Sequence, residues 1–199
     1  MYEPYPNLTA NIEAALYYAF RYHVTGERLH AERAVEFVGQ AHELSLTQKE
    51  IESTATLIRI HRIWQWLDGS AAFTDTVKRQ LGDIILIDRD RFPADRVEYG
   101  NSNRPFGYAI DGQMILRYVP NANEREKWQT YVDGTWAGFF ETGDIRENAS
   151  HYESISLSFL IEWADIRGAT AELLAHSAFM TMIERYLQQV LPIGSIPHY

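Results

Sequence analysis

The stretch from Leu8 to Leu44, LTANIEAALYYAFRYHVTGERLHAERAVEFVGQAHEL, decides the fold. In its first half Leu8, Ile12, Ala15, Leu16, Ala19 and Phe20 recur every three or four residues, the spacing that gathers apolar side chains on one face of a helix. Asn7 precedes that run as an N-cap, a side chain able to accept from an N–H left over at a helix start. Gly26 breaks the run. From about Glu27 to Leu44 the pattern returns through Leu29, Ala34, Val35, Phe37 and Val38. Two helices joined by one short glycine turn read as an antiparallel hairpin.

Working outward, Thr47 and Glu50 have capping-box spacing. They predict a helix through Ile51, Ala55, Ile58, Ile63 and Leu67 that stops at Asp68-Gly69. Its partner, from Ser70, carries Phe73, Val77, Leu81, Ile84, Ile85 and Ile87. The polar segment from Asp88 to Pro105 reads as a long loop. Pro105 suits the first turn of a fifth helix running to Tyr118, and Pro120 breaks it. Residues 123–140 predict an aromatic-rich sixth helix, and ETGDIRENASHYES a second polar loop. The apolar run Ile155 to Ile166 then reads as a buried seventh helix, ended by Gly168, and Leu173 to Leu187 as the eighth.

Eight helices in four hairpins amount to an internal repeat of roughly 45 to 50 residues, with no competing strand pattern. The predicted class is all-α, antiparallel helical hairpins arranged as a partial α/α toroid. Periodicity alone does not choose between a toroid and an open solenoid. Both long loops precede odd-numbered helices, so both should emerge at one rim, as a binding face would require.

The length of 199 residues suits a single domain over 1–199, with 46% hydrophobic and 13% aromatic residues to build its core. A net charge of −9 argues against nucleic-acid binding, and an anionic ligand would have to meet a local concentration of positive charge. The absence of cysteine excludes disulfides, thiol nucleophiles and cysteine metal sites. No apolar stretch is long enough to span a membrane. MYEPYPNLTA lacks the basic and apolar regions of a signal peptide.

Two polar constellations stand about one repeat apart. Tyr99-Gly100-Asn101-Ser102-Asn103-Arg104 precedes the fifth helix, and Glu147-Asn148-Ala149-Ser150-His151-Tyr152-Glu153 the seventh. Asn103 and His151 should therefore occupy equivalent places at the N-termini of neighbouring parallel helices. A helix N-terminus favours anions. An Asn amide and an Arg fork suit a carboxylate, and His151 and Tyr152 are proton-transfer groups. Together they fit β-elimination on a uronic acid, in which donors neutralise the carboxylate so that the weakly acidic C5 proton can leave.

The same residues carry a resemblance to the α/α-toroid polysaccharide lyases, the group that includes alginate, heparin, chondroitin and glucuronan lyases. YYAFRYHVTGERLHAERAVEFV is similar to a toroid hairpin. NSNRPFGYAIDGQMILRYVPNANEREKW and ENASHYESISLSFLIEWADIRG hold the chemically specific part. The resemblance implies Asn103 and Arg104 as carboxylate neutralisers, Asn101 as a second choice for the amide, and His151 with Tyr152 for proton transfer. It implies an anionic polysaccharide substrate, no required cofactor, and a periplasmic or extracellular setting if the chain is part of a secreted lyase. This sequence has Asn-Arg where many such lyases have Asn-His, and its His and Tyr are adjacent. Adjacent residues in extended backbone point to opposite sides, so one of the two would do the chemistry and the other orient it. Four hairpins are fewer than these toroids generally contain, which implies completion by further sequence or by self-association.

Other readings stay open. Asn101, Asn103 and Arg104 serve equally well as turn formers and caps, and His151 with Tyr152 as a loop anchor. Asn148 is a further substrate-binding candidate. Arg59, Arg62 and Trp66 share one helical face able to stack a sugar, or else to make interhelical ion pairs and core contacts. Tyr17, Tyr18, Tyr22 and His23 read as packing with polar tips. His151, Glu153 and Glu147 form the one conceivable metal set, but without recognisable ligand spacing, so no metal is expected. A toroid glycoside hydrolase using Glu147, Glu153 or Asp144, and a non-catalytic helical-repeat module binding a glycan or protein, are the alternative functions.

Overall fold

A computed structural model of the chain describes residues 7–47, 54–87, 100–145 and 150–189, with the backbone alone at 150–152 and 189. Every regular element among these residues is a helix. They are α1 Leu8–Thr25, α2 Arg28–Ser45, α3 Thr54–Leu67, α4 Asp75–Ile87, α5 Asn103–Tyr118, α6 Arg125–Thr142, α7 Ser150–Arg167, α8 Thr170–Ala175 and α9 Ser177–Gln189. The chain divides into two compact units, residues 1–93 with 118–122, and residues 94–117 with 123–199.

In the first unit α1 begins as its sequence dictates. The Asn7 side chain accepts from the Ala10 N–H at 2.7 Å, and Gly26, at φ +70°, closes the helix by donating its N–H to the Tyr22 carbonyl. That left-handed terminus costs glycine nothing sterically. The hairpin with α2 is packed by Tyr18 stacked on Phe37, ring centroids 5.7 Å apart at 11°. α3 lies along α1 in the same direction. Glu13 pairs with Arg59 at 3.0 Å and Phe20 meets Trp66 at 5.3 Å, the same 46-residue offset (59 − 13 and 66 − 20). α2 meets α4 through His42 and Asp83, 3.1 Å apart. α1 and α3 thus pair at a 46-residue offset, and α2 and α4 at one of 41 (83 − 42).

The capping box expected at Thr47 and Glu50 lies partly outside the described residues, and Thr47 instead donates its hydroxyl to the Leu44 carbonyl behind it. α4 starts at Asp75, five residues later than expected. Ser70 to Thr74 form turns, and Phe73 enters the core from outside any helix, with Trp64 edge-on to its ring. The Arg59–Trp66 run faces several ways. His61 is fully buried and its Nδ1 lies 2.5 Å from the Tyr118 hydroxyl, whose ring packs on Trp64 at 4.3 Å.

In the second unit α5 and α6 form a close hairpin. Arg125 at the start of α6 donates to the Ile115 and Leu116 carbonyls near the end of α5. Gly112 makes the approach feasible, since a Cβ there would stand 2.5 Å from Trp128 Cε3. α7 begins at Ser150, five residues before the expected Ile155, so His151 and Tyr152 belong to its first turn and not to a loop. Its apolar run is not wholly covered: Leu160, Trp163 and Ala164 are buried, whereas Ile161 is exposed. Gly168, at φ +76°, ends α7 in a Schellman arrangement, with Gly168 N–H on the Asp165 carbonyl and Ala169 N–H on the Ala164 carbonyl. The expected eighth helix is two: the backbone opens at His176 (φ −81°, ψ 116°), whose ring Nδ1 accepts from the Phe179 N–H and so caps α9.

Candidate functional site

The described parts of both polar constellations, residues 100–104 and 150–153, belong to the second unit, at the starts of α5 and α7. Asn103 is the first residue of α5 and Arg104 the second, half-buried and exposed respectively. Ser102 supplies the carbonyl that accepts the first helical bond, from the Phe106 N–H at 3.1 Å. Pro105, third in the helix, has no N–H to offer, and its carbonyl accepts from the buried Tyr131 hydroxyl at 3.2 Å, which fixes this turn to α6. No acidic residue lies in the first turn of α5. Arg104 adds a cationic side chain at a helix terminus, the end whose N–H groups favour an anion.

Asn101 is tied inward. Its side chain is buried, and its amide donates to the Thr142 hydroxyl and toward the Gly138 carbonyl at 3.5 Å, anchoring the approach to α5 on the last turn of α6. With both donors turned to α6, it serves the position of Asn103 before any ligand. The sequence offered no sign of Thr142 in this role.

His151 and Tyr152 are the second and third residues of α7, and their side chains and Asn148 lie outside the described residues. Because the backbone is helical, successive positions stand about 100° apart around the axis. The opposite-sides arrangement of extended backbone does not apply. Glu153 gives the first turn of α7 an acid, unlike that of α5.

At their other ends α5 and α7 touch. Arg117 donates to the Ile166 carbonyl at 2.5 Å, and Arg167 reaches Gln113 at 3.3 Å. The two helices start 47 residues apart and end 49 apart (150 − 103 and 167 − 118). Arg167 also pairs with Asp133 at 2.7 Å and lies over the Trp136 ring, 5.4 Å from its centroid. Burial acts to raise the Asp133 carboxyl, but hydrogen bonds from Gln129 and Arg167, with the Arg167 charge, outweigh it and hold the group below its ordinary value.

Arg59, Arg62 and Trp66 belong to the first unit. Arg59 pairs with Glu13, Arg62 donates to Gln65 at 3.0 Å, and Trp66 packs against Phe20 and His23. Among the described residues no three His, Asp or Glu gather to hold a metal ion, and no helix is long and apolar enough to cross a membrane. The chain matches no protein-family model, no curated protein and no solved structure.

Proposed function

We propose that the chain is a polysaccharide lyase of the α/α-toroid type, cleaving a uronic-acid-containing glycan by β-elimination. The observation that carries this is register. Two polar segments one repeat apart open two helices of one unit, and those helices meet at their C-terminal turns. At a packing distance of roughly 8 to 10 Å, parallel axes would bring their N-termini within the span of one sugar ring.

In this reading Asn103 and Arg104 hold the uronate carboxylate at the α5 terminus. Pairing that charge lets the C5 proton leave, because the developing enolate places its negative charge on the same oxygens. His151 and Tyr152 supply the proton transfers, removal from C5 and return to the departing O4, each a contribution of about 10² to 10⁴ in rate. The electron pair of the C–H bond becomes the C4–C5 double bond as the C4–O4 bond breaks. Ring closure, by further sequence or by a second copy, is part of the same proposal.

The test is to incubate the folded protein with glucuronan, alginate and glycosaminoglycans while following ultraviolet absorbance of the unsaturated product. Product is expected from at least one, slowed by about 10²-fold or more in His151→Ala. A folded protein that forms no such product from any of them overturns the proposal. New reducing ends without a double bond would identify a hydrolase instead.

A further inference from the structure

Residues 102–104 are held at both ends by α6. Before them, the buried Asn101 amide donates to the Thr142 hydroxyl and toward the Gly138 carbonyl at 3.5 Å. After them, the Pro105 carbonyl accepts from the buried Tyr131 hydroxyl at 3.2 Å. Thr142 is the pivot of the first tie. Its own proton is turned back toward the Gly138 and Phe139 carbonyls, 3.1 and 3.4 Å away, which leaves the oxygen's lone pairs for Asn101. That last turn of α6 is backed in its turn by the junction of α8 and α9. Gly143 leaves room there for Ala178, with which a Cβ would collide, and the His176 ring lies 4.5 Å from that of Phe140.

The first helical bond of α5, from the Phe106 N–H to the Ser102 carbonyl, is made by backbone alone. What the two ties add is the setting of the turn about the helix axis. Successive helical positions stand about 100° apart, and Asn103 is half-buried while Arg104 is exposed. A slip of one residue would change both settings and break both ties. We propose that Thr142 is a positioning residue of the candidate site, fixing through Asn101 the turn that presents Asn103 and Arg104. With both hydrogens of its amide committed to α6, Asn101 acts through that turn and not on a ligand. Groups set in place before charge develops need no reorganisation when it does, and that is where such a tie contributes. The identification of that charge as a uronate carboxylate rests on the proposed lyase reading; the tie itself does not.

The test compares Thr142→Val, which keeps the shape and removes the hydroxyl, and Thr142→Ser, which keeps the hydroxyl, with the wild type in the full chain. On whichever uronan yields product, kcat should fall about tenfold or more in Thr142→Val. KM should move much less, because the charge that Asn103 and Arg104 meet grows in the transition state. Thr142→Ser should restore most of the loss. Amide hydrogen exchange reads the same tie without any substrate. The Phe106 N–H should exchange severalfold faster in Thr142→Val but not in Thr142→Ser, while that of Ile110, further along α5, keeps its wild-type rate. A general loss of stability would accelerate both alike. The proposal is overturned if Phe106 exchange is unchanged in Thr142→Val, if Phe106 and Ile110 accelerate together, or if Thr142→Ser is as impaired as Thr142→Val. It is also overturned if a chain active as wild type keeps its kcat in Thr142→Val. A wild type that forms no unsaturated product from any uronan sinks the lyase reading alone, and exchange then decides the tie.

Discussion

Replacing Gly112 by alanine puts two effects in opposition. In a helix interior alanine is favoured over glycine by about 1 kcal/mol. At this position, however, the new Cβ would stand 2.5 Å from Trp128 Cε3 and 2.9 Å from Val132 Cγ2. Both neighbours are buried on the facing side of α6 and have little room to retreat. Overpacking of that kind costs about 1–3 kcal/mol, so the net effect runs from near neutral to about 2 kcal/mol destabilising. Gly134 is the internal reference: it lies mid-helix in α6, and a Cβ there meets nothing within 4 Å. The propensity gain is common to both, so the difference between Gly112→Ala and Gly134→Ala isolates the packing cost. At about 2–4 °C per kcal/mol for a chain of this size, calorimetric melting should rise slightly for Gly134→Ala and fall below it by several degrees for Gly112→Ala. Equal melting temperatures would refute the close α5–α6 approach.

Two further outcomes follow from the second unit. Gly143→Ala should be clearly destabilising, by about 2 kcal/mol or more in denaturant titration, because φ is +62° and the new methyl would collide with that of Ala178; unchanged stability would contradict the packing of the α6 terminus on α9. Asp133, with its carboxyl held below the ordinary 3.8, favours the folded state only while ionised. The stability difference between wild type and Asp133→Asn should therefore be present at neutral pH, vanish as acid protonates the group through its lowered value, and shrink with salt; a difference that persists unchanged into strong acid would rule out the Arg167 pairing.

What could be read in advance depended on whether the signal was local. Asn7, Gly26 and Gly168 stop or start helices through their own side chain or its absence, so the first hairpin and the end of α7 were legible. α7 began earlier than apolar periodicity suggested because its first turn is polar. The capping-box spacing of Ser150 and Glu153 was the available clue. The break at His176 involves neither glycine nor proline and depends on a ring nitrogen meeting the Phe179 N–H, together with ring contacts to Phe139 and Phe140, 37 and 36 residues upstream. No local pattern announces that. The candidate site divided in the same way. Asn103 and Arg104 were legible as a helix start, whereas the inward tie of Asn101 to Thr142 required the hairpin to be folded. Phe20 was misplaced because periodicity counts apolar residues without saying which stripe the neighbouring helices cover.

The central claim is that the starts of α5 and α7 act together on one uronate, and a double-mutant cycle on kcat/KM tests it most directly. Asn103→Ala and His151→Ala should each lower lyase turnover by about 10² or more, and the double variant should lose much less than the product of the two, as groups serving one transition state do. Single substitutions that leave turnover at the wild-type level, or two losses that simply multiply, would contradict it.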